Sequence, residues 1–147
     1  MALSGDVDAV NNIYDIGRFS LLTAGLDWRT VDLVVSAWRS PLPSFIATDL
    51  NLLAIKARGD IEAAVSLPIN GTAATTDGTA RTDSIVLPAV PTGADVTYLT
   101  MAVKNAVHDQ SQLILYIDDA LGLPFTPNGL DVVITPDWLQ NRGWFRP

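Results

Sequence analysis

What most constrains this chain is the spacing of its apolar residues: outside one early stretch they recur at every second position, in short runs closed by proline or an Asx-Gly pair. A period of two places one set of side chains on one face of an extended strand. Val31, Leu33, Val35 and Ala37 alternate with Asp32, Ser36 and Trp38, which gives a first strand. Ile61, Ala63, Val65 and Leu67 alternate with Asp60, Glu62 and Ser66, which gives a strand with one wet face that stops at Pro68. Residues 84–90 form a short strand bounded by Pro88 and Pro91, and 94–104 alternates Leu99, Met101 and Val103 against Tyr98, Thr100 and Lys104. Leu113, Leu115 and Ile117 repeat the pattern, and 130–135 closes it. Asn70-Gly71 and Asp77-Gly78 are the strongest turn dipeptides, and the Thr-rich stretch 72–82 reads as a weak edge hairpin or a loop.

Persuasive helical spacing is confined to the early stretch. Ile13, Ile16, Phe19, Leu22 and Leu26 recur at three- and four-residue intervals, with Asn11 or Asn12 as N-cap, Gly25 as stop, and Gly17 as a weak point inside. Beyond the break at Ser40-Pro41-Leu42-Pro43-Ser44, Asp49 is positioned to cap a short helical piece over 50–58 that ends at Gly59. Of the 16 acidic residues only Glu62 is glutamate; aspartate favours caps and turns over helix interiors, and with 10 Gly and 9 Pro this predicts many turns. Short strands without intervening amphipathic helices predict an all-β fold: an antiparallel β-sandwich or jelly-roll-like barrel with one short N-terminal helix. Its expected core is Leu33, Val35, Val65, Leu99, Met101, Leu113, Leu115, Ile117, Val132 and Ile134.

A length of 147 residues suits a single domain over 1–147, with 1–10 as an N-terminal arm and 137–147 as a C-terminal interface segment. Charged residues at 17% and hydrophobic residues at 48% predict a folded chain. A net charge of -7 repels phosphates and anionic lipid, so neither nucleic acid nor a membrane is expected as a partner. With no basic-then-apolar leader and no long apolar run, the chain is expected to be soluble and not exported.

Cysteine is absent, which excludes disulfides, thiolate metal sites and cysteine nucleophiles. The single histidine, His108, lies near Asp109 and Ser111, but the stretch 105–112 reads as a polar hairpin connection. Asp118-Asp119 offers a carboxylate pair without calcium-loop spacing and reads as a turn after a buried strand. Arg58-Gly59-Asp60 matches an adhesion tripeptide at what should be a helix end, Asn70-Gly71-Thr72 a glycosylation sequon at what should be a turn, and no phosphate-binding glycine loop occurs. No catalytic, metal or cofactor site is therefore expected, and the chain is read as not an enzyme.

Aromatic placement suggests contact with other molecules instead. Trp28 and Trp38 flank the first strand, and Trp138, Trp144 and Phe145 crowd the C-terminus. Because Trp, Phe and Arg dominate interface hot spots, the expected protein interface comprises Trp38, Phe45, Trp138, Arg142, Trp144, Phe145 and Arg146.

Two blocks carry a resemblance. Ile13-Tyr14-Asp15-Ile16-Gly17-Arg18 leading to Leu26-Asp27-Trp28 is the first; the run from Leu113-Ile114-Leu115-Tyr116-Ile117-Asp118-Asp119 through Ala120-Leu121-Gly122-Leu123-Pro124 to Phe125-Thr126-Pro127-Asn128-Gly129 is the second and the more specific. With a following strand and a terminal aromatic-Phe-Arg, they resemble small structural proteins of tailed bacteriophages over about half of the chain. Asp119 and Pro136-Asp137-Trp138 depart from that pattern. The resemblance implies a virion component, expected to be a capsid decoration (cement) protein that binds the major capsid protein and copies of itself as a dimer or trimer. It would lie on the capsid surface, and in the host cytoplasm before assembly. A tail, neck or baseplate component, or a carbohydrate- or receptor-binding module using exposed Trp residues, are the alternatives.

Overall fold

The computed structural model describes residues 12–23, 25–40, 45–73, 80–118 and 123–134. In chain order the elements are β1 (Asn12–Ile13), α1 (Asp15–Leu22), β2 (Leu33–Arg39), α2 (Leu52–Ala57), β3 (Ile61–Val65), β4 (Thr72–Ala73), β5 (Ala80–Arg81), β6 (Ile85–Leu87), β7 (Val96–Val103), β8 (Gln112–Ile117) and β9 (Val132–Ile134). A 3-10 turn, His108–Gln110, joins β7 to β8. Five strands form one antiparallel sheet in the order β1-β8-β7-β2-β3, while β4-β5 and β6-β9 are separate antiparallel ribbons. The architecture is all-β in character with short helices at its margin.

Alternation along β2 and β7 does not separate a dry face from a wet one, because both faces of the sheet are covered. One face carries Leu33, Val35, Ala37, Leu99, Met101, Leu115 and Ile117, and these pack with Ile85, Leu87 and Ile134 of the β6-β9 ribbon. The opposite face carries Val34, Trp38, Tyr98, Ala102, Leu113 and Tyr116, which pack with Leu52 and Ile55 of α2, with Tyr14 and with Phe45. Of the expected core, Val65 and Val132 are partly buried and the other eight residues are fully buried.

Three bulges explain where simple alternation fails. The β7-β8 register runs Met101↔Leu115 and then Ala102↔Leu113, so Ile114 is an extra residue and Leu113 turns to the face opposite Leu115 and Ile117. Ala63 in β3 and Thr97 in β7 are extra in the same sense against β2. Beyond β3, Ser66 turns inward, its Oγ accepting from Val35 N at 3.0 Å, and Leu67 is left exposed.

Helix α1 starts later than expected. Asn12 and Ile13 pair with Tyr116 and Leu115 as a strand, Tyr14 takes the N-cap position, and the peptide N–H of Tyr14 donates to Ile114 O at 2.9 Å. The helix then runs beside β8, whose outer backbone edge is already paired by residues 12–14 and by Leu50 and Asn51. Its apolar stripe is rotated from the one the spacing suggests: Phe19 and Leu22 point outward, whereas Leu21 packs on the aliphatic core. Gly17 dictates this, since a Cβ there would lie 2.7 Å from Ile114 Cα. What the sequence presents as a helix weakness is the point of closest approach between helix and sheet.

Helix α2 is the short helical piece expected over 50–58, a second helix beside the N-terminal one. Asn51 caps it, its side chain accepting from Ala54 N at 3.3 Å; Asp49, the expected cap, pairs with Arg58 instead. Gly59 follows at φ +94, the left-handed conformation that ends helices and that glycine adopts without a Cβ penalty. The 72–82 stretch does contain the expected small hairpin, with Thr72 opposite Arg81 and Ala73 opposite Ala80. Beneath it Gly71 meets the Trp28 indole, whose Nε1 donates to Arg81 O at 3.0 Å.

Candidate functional site

The densest polar chemistry lies around α2. Lys56 Nζ donates to Asp109 at 2.5 Å and stands 3.5 Å from Glu62, and Glu62 meets His108 Nε2 at 2.9 Å. The hydrogen bond to Asp109 raises the Lys56 pKa above its ordinary value. Four side chains from α2, β3 and the 3-10 turn thus tie three elements together. Lys56 is a third exposed, so solvent keeps each pair weak, at a few tenths to ~1 kcal/mol.

A second cluster lies on the inner side of α2. Trp38, Tyr98, Tyr116, Phe45 and Tyr14 form a continuous row of rings, with successive centroids 6.3, 5.1, 5.5 and 5.0 Å apart. Trp38 Nε1 donates to Thr100 Oγ1 at 2.8 Å and Tyr98 OH donates to Asp60 at 2.5 Å. Arg58 pairs with Asp49. Burial disfavours the phenolate, so all three tyrosines are pushed well above the ordinary phenol range, with Asp49 adding to the effect at Tyr14, Asp60 at Tyr98 and Asp118 at Tyr116. Burial pulls Arg58 down, but hydrogen bonding and charge pairing with Asp49 outweigh it and leave its pKa raised. Two groups are incompletely served: the Tyr14 hydroxyl and the Nε and Nη2 of Arg58 are buried without a hydrogen-bond partner among the described residues.

The motifs singled out from the sequence are absorbed by these contacts. His108 is bound to Glu62, Asp109 to Lys56, and the Ser111 hydroxyl accepts from Asn105 N at 3.2 Å, so the three do not converge as a triad. In Arg58-Gly59-Asp60 the arginine holds Asp49 and the aspartate holds Tyr98, which removes the tripeptide from an adhesive role. Asn70 donates from its amide to Val31 O at 2.8 Å, fixing the turn. Asp118 is exposed and acts on Tyr116, whereas Asp119 lies outside the described residues. Among the described residues no group of three or more His, Cys, Asp or Glu is placed to hold a metal ion, and no helix is long and apolar enough to cross a membrane.

The expected interface is corrected at one residue. Trp38 is fully buried, because the bulge at Thr97 still leaves it opposite Tyr98 under α2, with its indole N–H spent on Thr100. Trp28 is also buried, so neither tryptophan offers an exposed binding platform. Phe45 is partly buried against Tyr14 and Tyr116. Trp138, Arg142, Trp144, Phe145 and Arg146, with the rest of the segment 137–147, and the arm 1–10 lie outside the described residues.

The tyrosine network was missed in the sequence because its members are distant, Asp60 and Tyr98 being 38 positions apart. One signal was available: Tyr98 and Tyr116 each sit one position from an aliphatic core residue, so both belong to the face opposite the expected core.

Two clefts are lined by described residues. One of about 260 Å³ is lined by polar residues including Ser20, Lys104, Asn105, Gln110 and Gln112. The other, about 530 Å³, lies beside Arg39, Ile61, Asp95 and Thr97, with the Arg39 guanidinium fixed on the carbonyls of Pro91 and Ala94. Large apolar side chains, by contrast, remain exposed: Phe19 and Leu22 on α1, Ile46, Leu50 and Leu53 around the start of α2, and Val86, Leu130 and Val133 at the outer ribbon. Compared with protein-family models, with curated proteins and with solved structures, the chain matches none.

Proposed function

We propose that this chain is a non-enzymatic assembly module, and that it serves as a capsid decoration (cement) protein of a tailed bacteriophage, binding the major capsid protein on the outside of the shell. The observation that carries the assembly reading is the division of its surface: the clustered ionisable side chains are engaged in holding α2, β3 and the 3-10 turn, while Phe19, Leu22, Leu50, Val86, Leu130 and Val133 stay in solvent. Exposed apolar side chains on rigid elements suit docking rather than catalysis. The virion assignment rests on the two sequence blocks, of which 113–129 begins in β8 and ends just before β9. In this reading the β6-β9 ribbon laid on the main sheet is the second layer of a small sandwich.

Copy number tests the reading. Quantitative mass spectrometry of purified virions should give this chain in a ratio to the major capsid protein of the same order as unity. A few per cent would remove the decoration role and favour a neck or baseplate ring of about a dozen copies, as closed rotational symmetry allows.

A further inference from the structure

The β6-β9 ribbon is two-sided. Ile85, Leu87 and Ile134 are fully buried against the main sheet, whereas Val86 and Val133, directly opposite each other in the register, are 46% and 55% exposed. An acidic residue marks each end of this apolar pair. Asp83 precedes β6 by two positions and is exposed. Asp131 precedes β9 at the opposite end, where its Oδ1 accepts from Ala89 N at 2.8 Å and leaves the carboxylate at the surface. Counting along the register, the two acids stand about five strand positions apart, roughly 16 Å. Both acids are therefore exposed, one beyond each end of the valine pair.

The chain contains one segment with the complementary order. Arg142-Gly143-Trp144-Phe145-Arg146 places two guanidinium groups around two large aromatics, four positions or roughly 13 Å apart when extended. It belongs to the 13 residues that follow β9, in which two Arg face one Asp in a chain of net charge -7. A second copy's ribbon is the wrong occupant for the valine pair, since face-to-face contact would bring four aspartates together.

We infer that the outer face of the β6-β9 ribbon, Val86 and Val133 between Asp83 and Asp131, is the docking site for the C-terminal Arg-Gly-Trp-Phe-Arg segment of a second copy of this chain. The inference rests on the assembly reading and names how copies join. The sequence favours exchange over self-docking, because Thr135 precedes Pro136 and the residue before a proline is biased away from the helical-region backbone that a sharp return would use.

The test uses the full chain in analytical ultracentrifugation. Wild type should self-associate, and Val86→Asp with Val133→Asp, both at exposed positions, should weaken association by about a hundredfold or more, given that ~1.4 kcal/mol is tenfold. Asp83→Arg with Asp131→Arg should weaken it, Arg142→Asp with Arg146→Asp should weaken it equally, and the quadruple charge swap should restore it. A merely structural role for these residues gives no such rescue. A wild type that stays monomeric, or an oligomer indifferent to the valine substitutions, overturns the inference. So does a charge swap that fails to rescue. Wild type that is monomeric yet present at near-unit ratio in virions removes the exchange while leaving the decoration role in place.

Discussion

The two faces of the main sheet are held by different physics. On the aliphatic face, Leu33, Val35, Leu99, Met101, Leu115 and Ile117 meet Ile85, Leu87 and Ile134, side chains without an ionisable group. On the aromatic face, Trp38, Tyr98, Tyr116 and Tyr14 bring nitrogen and oxygen into a region where they must be paired: Trp38 and Tyr98 are paired, and Tyr14 is not. Stabilisation on the first face follows buried area and is insensitive to pH. On the second it depends on hydrogen-bond geometry and on keeping three phenols neutral. One sheet thus has a face that responds to volume and a face that responds to protons.

Alkali gives the largest separation of the two. Folded, the three tyrosines are held protonated well past the ordinary phenol pKa near ~10; unfolded, they ionise there. Above about pH 10 the unfolded state therefore binds fewer protons than the native state, and stability falls with rising pH by about 1.4 kcal/mol per unit for each tyrosine, about 4 for all three. Below that pH the contribution is fully present. Phenolate absorbance and loss of the far-ultraviolet strand signal should rise together in one cooperative alkaline transition. Phenolate appearing gradually around the ordinary pKa in a chain that keeps its strands would show that the aromatic face is open to water.

Volume tests the other face. Leu99→Ala removes a fully buried side chain from the centre of β7 and should cost about 3 kcal/mol in urea unfolding, the transfer and cavity terms acting together. The same loss should be measured at neutral pH and at the foot of the alkaline transition, since the aliphatic cluster itself holds no titrating side chain. A cost that changed between the two would mean that the faces are coupled through the sheet.

Strand positions were legible because alternation is a property of neighbours in sequence: β2, β3, β7, β8 and β9 lie where the apolar runs placed them. Bulges were not, because adding Ala63, Thr97 or Ile114 changes the register without calling for a special residue type. That is why Leu113 was assigned to the wrong face. The helix α1 was legible as a helix and misread in orientation, since Gly17 is selected by an approach to Ile114 that lies 97 positions away. The polar clusters share that obstacle: Lys56, Glu62, His108 and Asp109 come from three elements, and only the folded chain makes them neighbours. Trp38 looked like an exposed flank because its strand neighbours Asp32 and Ser36 suggested a wet face; α2, whose cover the alternation does not encode, made that face interior.

The smallest effect is the sharpest test of the aromatic face, because it differs in sign between two tyrosines. Tyr98→Phe removes the donor to Asp60 and leaves a carboxylate short of a charge-assisted bond, so stability should drop by about 1 to 2 kcal/mol. Tyr14→Phe removes a hydroxyl that is buried with no partner among the described residues, and keeps the ring that packs 5.0 Å from Phe45. Nothing is lost but a desolvated oxygen, so the variant should match wild type or gain up to about 1 kcal/mol in the same urea titration. It should also shallow the alkaline transition by one tyrosine's share of the slope, as Tyr98→Phe does. If Tyr14→Phe instead costs as much as Tyr98→Phe, its hydroxyl is engaged in solution and both tyrosines hold the face together in the same way.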